Sequence, residues 1–245
     1  MTFLHIEDIH NDAHQAWAMK LTAQMGKEYR AINADELTAT ADPDGFSQWL
    51  QQESVDLIFI STECDKRIVQ RFLNACRSLR VPYIFLTEEM RKMSVLAEAE
   101  TAMREILAPV TMLEEEVYKA EILSHLSRYT GARTTLLQAK DYGHRAEQNV
   151  GRIRTFLEHQ ERPLEVTIAQ RSIEVKIAQR NSMALYKELP SRQKDLVPDM
   201  MVLTASREYG LDDLFFGPAE RYVILHANVP VMLINPRGDL FSLCD

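Results

Sequence analysis

The chain has 245 residues, 46% of them apolar and 26% charged, and a formal net charge of −8. That balance fits one large or two small globular domains, and it repels phosphate backbones, so no nucleic-acid partner is expected. Apolar runs fall well short of the roughly 20 residues of a membrane helix, the start "MTFLHIEDIH" lacks a basic-then-apolar signal, and Cys64, Cys76 and Cys244 make no CxxC pair, so the expectation is a cytoplasmic protein with reduced thiols and no membrane partner.

In chain order, short apolar runs predict buried strands at 2–6, 56–61, 82–87, 105–110, 132–139, 164–169, 199–204 and 229–235, with a weaker one at 28–33. Helical spacing fills most of the gaps. "AHQAWAMKLTAQM", "RIVQRFLNACRSL" and "AEQNVGRIRTFLEH" each carry an apolar stripe. "EEEVYKAEILSHLSRYTG" puts Val117, Ala120, Ile122, Leu123 and Leu126 on one face and stops at Gly131. Residues 88–104 read as a helical connector containing a domain boundary. Strands alternating with helices predict parallel sheets covered on both faces. "IAQRS" and "IAQRN" recur nine residues apart in 168–181; Asn181 or Ser182 can cap the helix "MALYKEL", with Pro190 kinking or ending it.

The two halves echo each other. "FLHIEDIHNDAHQA" matches "ILAPVTMLEEEVYKA" as strand, polar turn and helix. "DLIFISTECDKRIVQRFLNACRSLRVPYIFL" matches "DMMVLTASREYGLDDLFFGPAERYVILHANVPVMLI" as a strand opened by Asp, a loop, a helix, then Val-Pro and a strand. The second half has an extra portion at about 132–195 that the first half compresses.

On "EILAPVTMLEEEVYKAEIL", "PDMMVLTASREYGLDDLFFGPAERYVI" and "ANVPVMLINP", the second half resembles a universal stress protein domain. The resemblance covers roughly 105–237 and, more weakly, 2–87. It implies an α/β fold of two Rossmann-like domains, with parallel sheets flanked by helices and paired through their last strands. The shortened first domain spans 1–90, the connector 91–104 and the more complete domain 105–245. The implied partner is the other domain of the same chain, with a homodimer left open.

The resemblance also allows a test of the loop "SREYGLDDLFFGPAERYV". In the family's nucleotide-binding branch this loop carries Gly-x-x-Gly, a spacer, then Gly followed by Ser or Thr. Gly210 and Gly217 fit the second and third glycines. Arg207 stands at the first, and Pro218 stands where the hydroxyl belongs. Proline offers neither hydroxyl nor N–H to a phosphate. The family's acid after strand one resembles an adenine- or ribose-side contact; it falls on Thr111 in the second half and on Asp8 in the first. Yet the first half has "STECDKRIVQRF", without glycine, where the loop should be. Neither half holds a whole nucleotide site.

Other groupings point to little chemistry. His10 and His14, with Glu7, Asp8 and Asp12 nearby, suit an exposed helix-capping turn better than a metal site. Glu114–Glu116 suit a helix start by complementing its dipole. Cys64 reads as a small buried thiol before a redox centre. Ser206 has no Gly-x-Ser-x-Gly around it. The expected function is a non-enzymatic stress-response binding or regulatory module without a cofactor, binding nucleotide weakly or not at all. The alternatives are an ATP- and Mg²⁺-binding member with slow hydrolysis through an altered glycine loop, and a scaffold that only presents a surface.

Overall fold

A computed structural model describes residues 2–35, 49–50, 53–76, 79, 81–159, 173–205 and 218–235. Strand β1 (Thr2–Glu7) leads through a turn into helix α1 (Asp12–Gln24). Asn11 starts that helix by accepting from the amides of Ala13 and His14 at 3.0 and 3.2 Å. The half-exposed strand β2 (Glu28–Asn33) follows, then the fully buried β3 (Val55–Thr62). Asp65 caps α2 (Lys66–Cys76), and β4 (Tyr83–Thr87) closes the first half. Within the connector, α3 (Met93–Glu98) is the helical part, and Met90, Met93 and Met103 are buried in the core.

The second half opens with β5 (Glu105–Val110) and a 3₁₀ turn at Glu114–Tyr118 that runs into α4 (Lys119–Thr130). Gly131, at φ +73°, ends α4, as the sequence predicts. There follow β6 (Arg133–Gln138), α5 (Arg145–His159), β7 (Ile173–Ile177), α6 (Leu185–Leu196), β8 (Met200–Thr204), α7 (Ala219–His226) and β9 (Val231–Ile234).

The nine strands form one sheet in the order β2-β1-β3-β4-β9-β8-β5-β6-β7. All neighbours run parallel except β4 and β9, which pair antiparallel through Tyr83–Leu233, Ile84–Met232 and Phe85–Val231. The sheet is therefore two parallel blocks joined last strand to last strand. Both blocks share one strand order, except that the first lacks a counterpart of β7. Polar ties back the join. Asn235 donates to the carbonyls of Cys76 and Leu79 at 2.8 and 2.9 Å, and Arg221 donates to Gln70 at 2.6 Å. A continuous apolar core runs beneath both blocks.

Two expectations change. Pro190 lies inside α6 and does not end it. The helix continues because Leu185 and Leu189 are buried, and Gln193 ties it to the carbonyls of Pro190 and His226. Part of the stretch between the two "IAQR" segments is strand β7, which the apolar runs did not mark; the predicted strand at 164–169 lies outside the described residues. No described helix is long and apolar enough to cross a membrane.

Val197, which caps the end of α6, sits in the left-handed region at φ +43°, ψ 49°. A β-branched residue is strained there, whereas asparagine tolerates it. Val197 is half exposed, so its side chain contributes little packing. Val197→Asn is expected to raise the unfolding free energy by about 0.5–1 kcal/mol. Urea denaturation checks this, and a lowered midpoint would count against the strain.

Candidate functional site

In each block the chain leaves the first strand in one direction and later returns on its other side. The carboxyl ends of β5 and β8, and of β1 and β3, therefore border the two switch points where sheets of this kind hold ligands.

At the second switch point, β5 delivers Thr111 and the 3₁₀ turn delivers Glu116. Glu114–Glu116 do open the helical turn, as read from the sequence, but Glu116 is fully buried, whereas Glu114 is exposed and Glu115 intermediate. Thr111 Oγ1 donates to Glu116 Oε1 at 2.6 Å, and Thr204 Oγ1, from the end of β8, donates to Oε2 at 3.1 Å. Lys119 is equally buried and bonds both to that carboxylate and to the Pro109 carbonyl. Burial pulls the Lys119 ammonium down, and Glu116 pulls it back up. Tyr186 completes the cluster by donating to the Thr204 carbonyl at 2.9 Å and accepting from its amide at 3.2 Å. Burial, then Glu116 and Glu220, push its phenol well above the ordinary range.

The surrounding loops are tied as well. Asn149 donates to the carbonyls of Thr111 and Leu113 at 3.0 and 2.7 Å. Ser182 accepts from the Met112 amide at 2.8 Å and is held by Asp141. Asn181 caps the turn before α6 by accepting from Ala184.

Of the residues expected at the second-half site, Thr111 is present but committed to Glu116. Pro218 sits one residue before α7, at the cap position and not in the first turn; its carbonyl accepts from the Arg221 amide at 3.1 Å. Arg207, Gly210 and Gly217 lie outside the described residues, as do Ser206 and Asp212–Asp213. In the first half, Asp8 accepts from Thr62 at 3.1 Å and from Arg71, on α2, at 2.7 Å. An arginine of this chain thus occupies the carboxylate that the resemblance assigns to a ligand.

The halves share a further tie. Counting from Asp56 and Asp199, Ser61 is the counterpart of Thr204. Just as Thr204 bonds to Glu116, Ser61 Oγ lies 3.1 Å from Nδ1 of His14, in the first turn of α1. His14 is buried, against its reading as part of an exposed turn, while His10 is exposed and bonded to Asp12, so the two do not share a site. Among the described residues, no group of three or more His, Cys, Asp or Glu side chains could hold a metal ion. Burial and Glu89 raise the Cys64 thiol, which keeps it protonated.

Lys119, Tyr186 and Thr204 escaped the sequence reading, and Glu116 was read only as a helix-start acid. The missed signal was spacing. Glu116 and Lys119 lie on the stripe that continues through Leu123 and Leu126, and charges on a buried stripe must pair.

By sequence, no protein-family model and no curated protein matches the chain. By structure, it is similar to a universal stress protein from Archaeoglobus fulgidus DSM 4304, at TM-score 0.60 and 11% identity over 97% of each chain. The fold is that of a universal stress protein. A putative universal stress protein from Pseudomonas aeruginosa UCBPP-PA14 aligns over 98% of this chain and 84% of its own at TM-score 0.49 and 15% identity. A universal stress protein solved in complex with cAMP aligns over 55% of this chain and 98% of its own at 0.44 and 8%. At 11% identity the Archaeoglobus protein shares the fold alone, and the chemistry rests on the residues present.

Removing one member of the buried pair leaves the other charge stranded. Lys119→Met is expected to cost about 3–5 kcal/mol, and adding Glu116→Leu should restore part of that loss. Urea unfolding of the single and double variants checks this; a double variant less stable than Lys119→Met would contradict it.

Proposed function

We propose that this chain is a tandem module of the universal stress protein kind that acts through protein contacts and does not use ATP as a substrate. One observation carries the reading. Beneath the second switch point sits the buried carboxylate of Glu116, which takes the hydroxyls of both Thr111 and Thr204. A triphosphate arriving there meets a carboxylate and finds those hydroxyls already used. Pro218 removes one amide donor from the start of α7. In the first half, Arg71 holds Asp8.

The proposed units are residues 1–90 and 105–245 around a connector, each corresponding to one block of the sheet. The antiparallel β4–β9 pair supports a contact made within one chain, since it occupies both last-strand edges that a second copy would need. Stress-response regulation through an unidentified protein partner is the function that this arrangement suits.

Calorimetric titration with ATP and Mg²⁺ tests the reading. No saturable heat is expected up to millimolar nucleotide. Binding in the low micromolar range would replace this reading with that of an ATP-binding member.

A further inference from the structure

The first block contains a hydrogen-bond chain that the proposed function does not use. Tyr29 Oη, on edge strand β2, lies 2.6 Å from His5 Nδ1. His5 Nε2 lies 2.7 Å from Ser61 Oγ, which lies 3.1 Å from His14 Nδ1. Thr87, at the end of β4, lies beside His14 and favours its charged form. Gln15 lies beside Tyr29 and favours the phenolate.

A neutral imidazole has one N–H donor and one acceptor nitrogen, and a hydroxyl can donate once while accepting. With both rings neutral, the protons can therefore run in a single sense from one end of the chain to the other, and each link has one donor and one acceptor. A second proton on either ring puts N–H on both of its nitrogens and breaks that sense. The chain crosses α1, β2, β1, β3 and β4, and it binds the edge strand and the first turn of α1 to the block.

A second observation points the same way. Glu7 Oε1 is buried with no hydrogen-bond partner among the described residues, 3.9 Å from His5 Nδ1. It is an alternative acceptor that a protonated His5, carrying N–H on both ring nitrogens, can use without giving up Ser61.

We propose that this chain is an acid-sensitive latch: proton uptake by His5 and His14 moves His5 Nδ1 from Tyr29 to Glu7, breaks the directed chain and frees β2 and the start of α1 from the first block. The ionisable surroundings are few. Glu7 on β1 faces His5 and Tyr29, and His10 bonds with Glu7 and Asp12. Tyr29 on β2 is pushed up to about 12, chiefly by burial. β3 presents Ser61 and the uncharged ring of Phe59, and β4 presents Thr87. Beyond Thr87, Glu88 and Glu89 face Cys64, and Asp8 is held by Arg71.

The sign follows from linkage. Burial lowers His5 from 6.5 to about 3 and His14 to about 4. The stabilisation is therefore complete above about pH 6.5 and drains away as pH falls toward these values. Two imidazoles returning to 6.5 on opening raise the opening constant about 60-fold between pH 6 and 5, and one raises it about 8-fold.

The test is amide hydrogen exchange on the full chain, corrected for intrinsic rates. Protection in α1, β1 and β2 is expected to fall about 60-fold from pH 6 to 5 while β5 and β6 change much less. With His14→Gln the fall should drop to about 8-fold. Imidazole ¹⁵N spectra of the unmutated chain guard against a variant that fails to fold; they should show two neutral rings for His5 and His14 at pH 5. A ring that charges near pH 6.5 in the folded chain, or equal loss of protection in both blocks, would overturn the latch.

Discussion

The buried carboxylate of Glu116 is the constraint on which the second half turns. A carboxylate removed from water is tolerable only when its oxygens are satisfied. Here Thr111, Thr204 and Lys119 satisfy them. Those partners come from the end of β5, the end of β8 and the start of α4, so one charge fixes the three elements that border the switch point. The hydroxyls of Thr111 and Thr204 both bond to that carboxylate, and the crevice is held together by those bonds.

The first half solves the same mechanical problem with different chemistry. Ser61 stands where Thr204 stands, and again bonds to a side chain from the start of the first helix. That side chain is a neutral imidazole, and a second imidazole completes a directed chain to the edge strand. An imidazole that must stay neutral responds to mild acid. The two halves thus close the same place in the fold with different chemistry, one of them tied to histidine.

Much of the fold was legible in the sequence because parallel strands buried on both faces read as apolar runs, and because the Asp-strand-loop-helix-Val-Pro pattern occurs twice. The join through the last strands is what the resemblance to universal stress proteins implied, and β4 and β9 make it. Strand β7 was not legible: "IEVKI" alternates apolar and charged residues as an edge strand does, and carries no continuous run. The crevice was half legible. Thr111 and Pro218 could be placed at the end of a strand and at the start of a helix from the sequence. The cluster around Glu116 could not be read from a local motif, because its partners come from β5, β8 and α4, up to 88 residues apart. His5 and His14 were passed over for the same reason; burial, which decides their chemistry, is a tertiary property.

The β4–β9 pairing fuses the two blocks into one sheet over a continuous core, so each switch point rests on a common support. The central claim is that hydroxyl-to-first-helix bonds close these floors. A double-mutant cycle in urea denaturation tests it most directly, using Thr204→Val, Glu116→Leu and the pair. The account predicts a coupling of about 1.5–3 kcal/mol, as for a buried bond to a charged group. Losses that simply add, within about 0.5 kcal/mol, would contradict it.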